Sequence, residues 1–73
     1  MRKTYWIRKC YAYKQAIDSV KTSSLKEAHR LALQASNESD VTISYLLTND
    51  IYGEIFVDTY RHGIAASLFH TQF

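Results

Sequence analysis

Residues 24–36 read Ser24-Leu25-Lys26-Glu27-Ala28-His29-Arg30-Leu31-Ala32-Leu33-Gln34-Ala35-Ser36, and this stretch decides the fold. Ser followed three residues later by Glu is a capping box, in which the Ser24 hydroxyl accepts the Glu27 amide and the Glu27 carboxylate reaches back to the Ser24 amide. From there Leu25, Ala28, Leu31, Ala32, Leu33 and Ala35 fall in an arc of about 200° at helical periodicity, with Lys26, Glu27, Arg30 and Gln34 opposite. The spacing predicts a helix over 25–36 lying on an apolar surface. Asn37 is expected to end it in the left-handed conformation, with Glu38, Ser39 and Asp40 as the connection.

On both sides of the helix the period changes from 3.6 to two. Tyr5, Ile7, Lys9, Tyr11 and Tyr13 alternate with Trp6, Arg8, Cys10, Ala12 and Lys14, which reads as a strand from Thr4 to Lys14. Charges and aromatics occur on both parities, so neither face is deeply buried and an edge or an open face is expected. Residues 15–22 fit a helical turn or a bent or bulged continuation of that strand, and the extended reading is preferred. After the helix, Val41, Ile43, Tyr45 and Leu47 alternate with Thr42, Ser44, Leu46 and Thr48, a half-buried strand with its hydroxyls expected on the outer face. Turn chemistry at Asn49, Asp50 and Gly53 joins it to a strand over 54–60, in which Ile55 and Val57 are expected to face one way and Glu54, Phe56, Asp58 and Tyr60 the other. His62-Gly63 signals another turn, and 64–69 is expected to form a short last strand.

The predicted order is β-α-β-β with a further C-terminal strand in prospect. The fold class is therefore α+β in two layers, one helix packed on a small antiparallel sheet of three to four strands. Residues 1–73 form a single domain, since a chain of 73 residues cannot bury two cores. Leu, Ile, Val and Phe supply 18 of those residues, enough for a folded core. Cys10 is the single cysteine, so no internal disulfide is available and a reducing, cytoplasmic compartment is expected. Arg8 and Lys9 interrupt the apolar start, so the expectation is a chain without a secretory leader. No apolar run approaches the length of a membrane span.

Residue types that carry catalysis are sparse. Two glycines ten residues apart do not make a phosphate-binding loop. Cys10 on an aromatic-rich strand reads as a small buried hydrophobe rather than a nucleophile. Asp50, Glu54 and Asp58 do not converge when placed on a strand and its loop, and read as a solvated face. His29 falls between Leu25 and Leu33 on the helix and is expected to be a hydrogen-bonded boundary residue. His62 and His70 lack the spacing that aims two rings at one metal. The expectation is a non-enzyme with no cofactor and no metal.

Charge is distributed unevenly. Residues 1–30 hold eight of the nine basic residues and two acids, net +6, whereas residues 31–73 hold Arg61 against five acids, net −4. Interleaved with the cations at the start of the chain are Tyr5, Trp6, Tyr11 and Tyr13. Such a mixture fits a sheet strand kept soluble by Lys and Arg, a protein-binding surface anchored by aromatics, or a nucleic-acid surface that stacks bases and neutralises phosphates. The candidate partner-binding set is Tyr5, Trp6, Arg8, Lys9, Tyr11, Tyr13 and Lys14. Pairing of open strand edges into a homodimer is compatible with either kind of partner.

A first strand, the helix start Ser24-Leu25-Lys26-Glu27-Ala28-His29-Arg30-Leu31-Ala32 and a following hairpin, over about residues 4–61, resemble in layout small phage and mobile-element proteins, among them anti-CRISPR proteins that bind type I surveillance complexes. The resemblance carries over no functional residue. It implies a non-catalytic inhibitor that occupies a surface on a host protein or nucleoprotein complex or occludes its DNA path, with the acidic second half suited to a Lys-rich groove. The alternative expectation is a small nucleic-acid-binding module that uses the basic, aromatic first strand.

Overall fold

In a computed structural model that describes residues 3–66, the chain runs β1 (Tyr5–Tyr11), β2 (Ile17–Thr22), α1 (Leu25–Ser36), β3 (Val41–Asp50), β4 (Gly53–Arg61) and β5 (Ile64–Ala65). The strands form one antiparallel sheet in the order β2-β1-β3-β4-β5, with α1 across one face. The two-layer α+β class expected from the sequence is the one observed. The sheet has five strands rather than three or four, because residues 17–22 turn back as a separate strand beside β1 instead of prolonging it. Residues 67–69 of the expected last strand lie outside the described residues.

Helix α1 begins as its sequence dictates: the Ser24 hydroxyl accepts the Glu27 amide at 3.2 Å. The other half of the capping box does not form. The Glu27 carboxylate pairs with Arg30 one turn on, and the Ser24 amide donates instead to the Thr22 hydroxyl. At the far end Asn37 sits at φ −94°, in the right-handed region and not the left-handed one expected. Its side-chain amide donates to the Leu33 carbonyl, which satisfies that end without a reversal of the backbone.

The buried helix face is narrower than its sequence arc. Ala28, Ala32, Ala35 and Ser36 are buried, while Leu25 and Leu33 at the flanks are exposed. Small residues let the helix approach the sheet closely, near enough for the Ser44 hydroxyl to donate to the Ala32 carbonyl at 2.7 Å in the core. That contact corrects the expected orientation of β3. Ser44, Leu46 and Thr48 face the helix with Ile7 of β1 and Tyr60 of β4, whereas Ile43, Tyr45 and Leu47 face away. The hydroxyls are tolerated inside because each has a carbonyl acceptor, Thr48 donating to Thr4 at 2.9 Å.

Three bulges break the two-residue rhythm. Val20 is the extra residue of β2 against Trp6 and Ile7, Thr42 of β3 against Cys10 and Tyr11, and Val57 of β4 against Leu46 and Leu47. The last overturns the single alternation expected for 54–60. Below Val57, Ile55 lies on the helix side and Glu54 and Phe56 on the open side; beyond it, Asp58 and Tyr60 return to the helix side. Among the described residues no helix is long and apolar enough to cross a membrane.

Candidate binding surface

The sheet face opposite α1 carries Trp6, Arg8 and Cys10 of β1, Tyr45 and Leu47 of β3, and Glu54 and Phe56 of β4, placed there by the cross-strand registers. Leu47 is fully buried although no helix among the described residues covers this side, because its register neighbours Trp6 and Phe56 flank it. Phe56 also meets Tyr45 edge-on, with ring centroids 5.2 Å apart. The open face is thus a thin second apolar layer built of aromatic side chains.

Arg8 ties that layer across the sheet. Its guanidinium makes bidentate bonds to Asp18 of β2, at 2.6 and 3.0 Å, and to Glu54 of β4, at 2.8 and 3.0 Å. The fork geometry of Arg suits two carboxylates at once, which Lys does not match. These hydrogen bonds hold the Asp18 and Glu54 carboxyls below the usual carboxylate range and keep Arg8 charged. Lys9 on the helix side pairs with Glu38 after α1, at 3.2 Å. The charge asymmetry along the chain is therefore partly closed by folding, since Arg8 and Lys9 of the basic half meet Glu54 and Glu38 of the acidic half.

The seven residues singled out by the sequence do not make one surface. Tyr5, Lys9 and Tyr11 lie on the helix side of β1, with Tyr5 packed against the core. Trp6 and Arg8 lie on the open side. Tyr13 and Lys14 belong to the β1–β2 turn, where the Lys14 ammonium stands 4.3 Å from the centre of the Tyr11 ring. β1 itself is a central strand and not an edge.

The most exposed large apolar side chains other than Tyr13 lie elsewhere. Ile51 and Tyr52, at the tip of the β3–β4 hairpin, are 88% and 90% exposed, and Phe56 on the adjoining strand is 60% exposed. Asp50 shapes that tip by accepting the Tyr52 amide at 2.7 Å, and Gly53 takes φ 119°, a conformation closed to most side chains. A signal for this patch was present in the sequence: Asn49-Asp50-Ile51-Tyr52-Gly53 places two large apolar residues where a turn ordinarily carries polar ones.

A cleft of about 430 Å³ lies at the Trp6 end of β1 and β2, lined among others by Asp18, Val20, Lys21 and Asn49. The Trp6 indole Nε1 is buried with no hydrogen-bond acceptor among the described residues, and Val20 holds φ 42°, costly for a β-branched residue. His29 Nδ1 shares a hydrogen bond with the Tyr60 hydroxyl, and burial pushes both the Tyr60 phenol and the Cys10 thiol up, toward their neutral forms. Among the described residues no three His, Cys, Asp or Glu side chains gather as a metal site. No protein-family model, curated protein or solved structure matches the chain.

Proposed function

We propose that the chain is a non-catalytic binding protein that acts on a host protein or nucleoprotein complex in the cytoplasm, as a small phage or mobile-element inhibitor of the anti-CRISPR type. The observation that carries the binding reading is the patch of Ile51, Tyr52 and Phe56, large apolar side chains held in solvent beside the aromatic open face. Exposed aromatic and aliphatic clusters with a charged rim are the usual anchors of protein interfaces. Trp6 and Arg8 of the sequence-derived set adjoin that face; Tyr5, Lys9 and Tyr11 stand on the other.

The test is affinity purification of the tagged chain from its host with mass spectrometry, beside a Tyr52→Ala/Phe56→Ala variant whose fold is verified by circular dichroism. Loss of specific partners in the variant is the expected result. Retention of the same partners would sink the reading.

A second reading, nucleic-acid binding, is favoured by Lys3, Lys21 and Lys26, exposed residues brought by the β1–β2 register and the start of α1 to the same end of the sheet as Trp6. It requires an affinity that falls steeply with salt. A flat gel-shift titration at low salt with single- and double-stranded probes removes it.

A further inference from the structure

We infer that the cleft of about 430 Å³ at the Trp6 end of β1 and β2 binds a neutral heteroaromatic ring with hydrogen-bond donors and acceptors on its edge, the chemistry of a nucleobase. The site shares no residue with the Ile51, Tyr52 and Phe56 patch and goes beyond the protein-binding reading, so either stands or falls without the other. Its volume lies within the range of about 300–1,000 Å³ usual for small-molecule sites.

The Val20 bulge builds the cleft. In an unbroken strand Asp18 and Lys21, three residues apart, face opposite sides of a sheet. Because Val20 is the extra residue, Lys21 stands opposite Trp6 while Asp18 stands opposite Arg8, and both belong to the open face. The chain holds this arrangement at a local cost. Among the described residues Val20 is one of two non-glycine positions with positive φ, and Trp6 Nε1 is the one buried side-chain polar atom without a partner. Both costs fall on residues that line one cleft. Strained backbone and unpaired polar groups persist chiefly where they serve a site.

The lining selects the ligand. Trp6 offers indole surface to a flat ring, which packs on the indole without bonding Nε1, since that atom is sealed from solvent. Arg8 takes one position on each Asp18 oxygen, which leaves further acceptor positions on a group that only accepts. Lys21 only donates and is in no ion pair among the described residues. Asn49 supplies a donor and an acceptor together. Charge disfavours an ion: Lys21 and Arg8 balance Asp18 and Glu54, and Lys3 and Asp50, next to the lining residues Thr4 and Asn49, balance each other. A carboxylate or an ammonium meets as much repulsion as attraction there and loses its hydration. A neutral ring with both kinds of edge group serves Asp18, Lys21 and Asn49 at once.

Trp6 is the only tryptophan, so its fluorescence reports on this site alone. The full chain is titrated with adenosine, cytidine and uridine, and with benzoate and benzylamine as charged rings that lack such an edge. Amide shifts are read in parallel on labelled protein. The expected result is a saturable Trp6 response to at least one nucleoside in the millimolar range, with shifts centred on Ser19–Lys21 and Asn49. The charged rings are expected to bind roughly tenfold more weakly. Lys21→Ala, at an exposed position, is expected to weaken nucleoside binding about tenfold while the rest of the spectrum persists, and Lys21→Arg, which keeps a donor, to restore most of it. Equal binding of the charged rings, shifts centred on Tyr45 and Phe56, unchanged affinity in Lys21→Ala, or no saturable response to any nucleoside overturns the inference. A single-stranded deoxyadenosine pentamer separates the two sources of such a ring, and either outcome sustains the site. Binding tighter than that of adenosine and falling with salt assigns the base to a strand; equal affinity assigns it to a free nucleoside.

Discussion

At the β2 edge of the sheet the Val20 bulge is bracketed by Asp18 and the cation Lys21, whereas β4, with its own bulge at Val57, holds Ile55, Phe56 and Val57 in a row between two acids with no cation among them. Bulges and charges, Lys above all, are the ordinary means of keeping a sheet from growing by edge pairing. One edge is therefore closed to further pairing, and the other is covered at its upper end, among the described residues, by the two residues of β5 and by the Ala66 amide, which donates to the Thr59 carbonyl at 2.6 Å. The difference teaches that solubility alone does not explain the exposed residues of β4, since the same sheet shows how a soluble edge is built. Arg8 links the two, binding a carboxylate from β2 with one face of its fork and one from β4 with the other.

The largest expected effect comes from weakening what guard β4 has. Gly63 turns the chain from β4 into β5 at φ 82°, and a Cβ there would stand 3.0 Å from the Asn37 side-chain oxygen. Its amide also donates to the Ser36 hydroxyl at 2.8 Å, which anchors the turn to the end of α1. Gly63→Ala is expected to cost about 1–2 kcal/mol from the left-handed backbone alone. Urea denaturation should show it, and exchange at Tyr60 and Arg61 should quicken more than at β2. Equal acceleration at both edges would break the comparison.

Arg8→Ala comes next, with the thermal midpoint expected to fall by a few degrees. The loss is limited because Asp18 and Glu54 are each about half exposed. Both edges should loosen together, since one side chain holds both; loosening at only one would show that the other ion pair contributes nothing. The same clamp predicts a pH dependence. Arg8 lowers the folded-state pKa of Asp18 and Glu54, so their contribution is complete above the unfolded carboxylate values, about 4, and is lost as pH falls through the lowered folded values. Wild-type stability should be flat in this respect from neutral pH to about 5 and decline below about 4. In Arg8→Ala the decline should be shallower, with the Glu27–Arg30 pair supplying what remains.

The contrast between the edges was only half legible in the sequence. Helix α1 and its N-cap could be read because Ser24, Glu27 and the 3.6-residue spacing are local signals. The β3–β4 hairpin could be read because Asp50 and Gly53 mark its turn. What could not be read was the sheet order: the mixed charges and aromatics of β1 fit an edge or an open face, and only the pairing of 17–22 with β1 makes it an interior strand with one open face. Bulges were equally hidden. Val57 and Thr42 shift the alternation by one residue each, and a pattern with period two inverts at every shift. That is why Ser44 and Thr48, polar by type, were placed outside, when the close approach allowed by Ala28 and Ala32 gives Ser44 an acceptor within the core. The binding candidates suffered from the same cause, since seven residues on one central strand and its turn cannot share one face.

The smallest expected effect tests whether the closed edge is held closed at a cost. Val20 occupies φ 42° while more than half exposed, so its side chain recovers little packing for a backbone that β-branched residues avoid. Replacing it by Gly removes the clash of Cβ with the backbone, worth roughly 1–2 kcal/mol, but adds roughly 0.5–1 kcal/mol of unfolded-state entropy. Val20→Gly should therefore raise stability by about 0.5 kcal/mol, the difference between those opposing contributions. Val20→Ala, which keeps the Cβ, should not. If Val20→Gly instead destabilises by more than the entropy accounts for, the valine side chain is packed against something that matters at the Trp6 cleft, and the bulge serves that site as well as the edge.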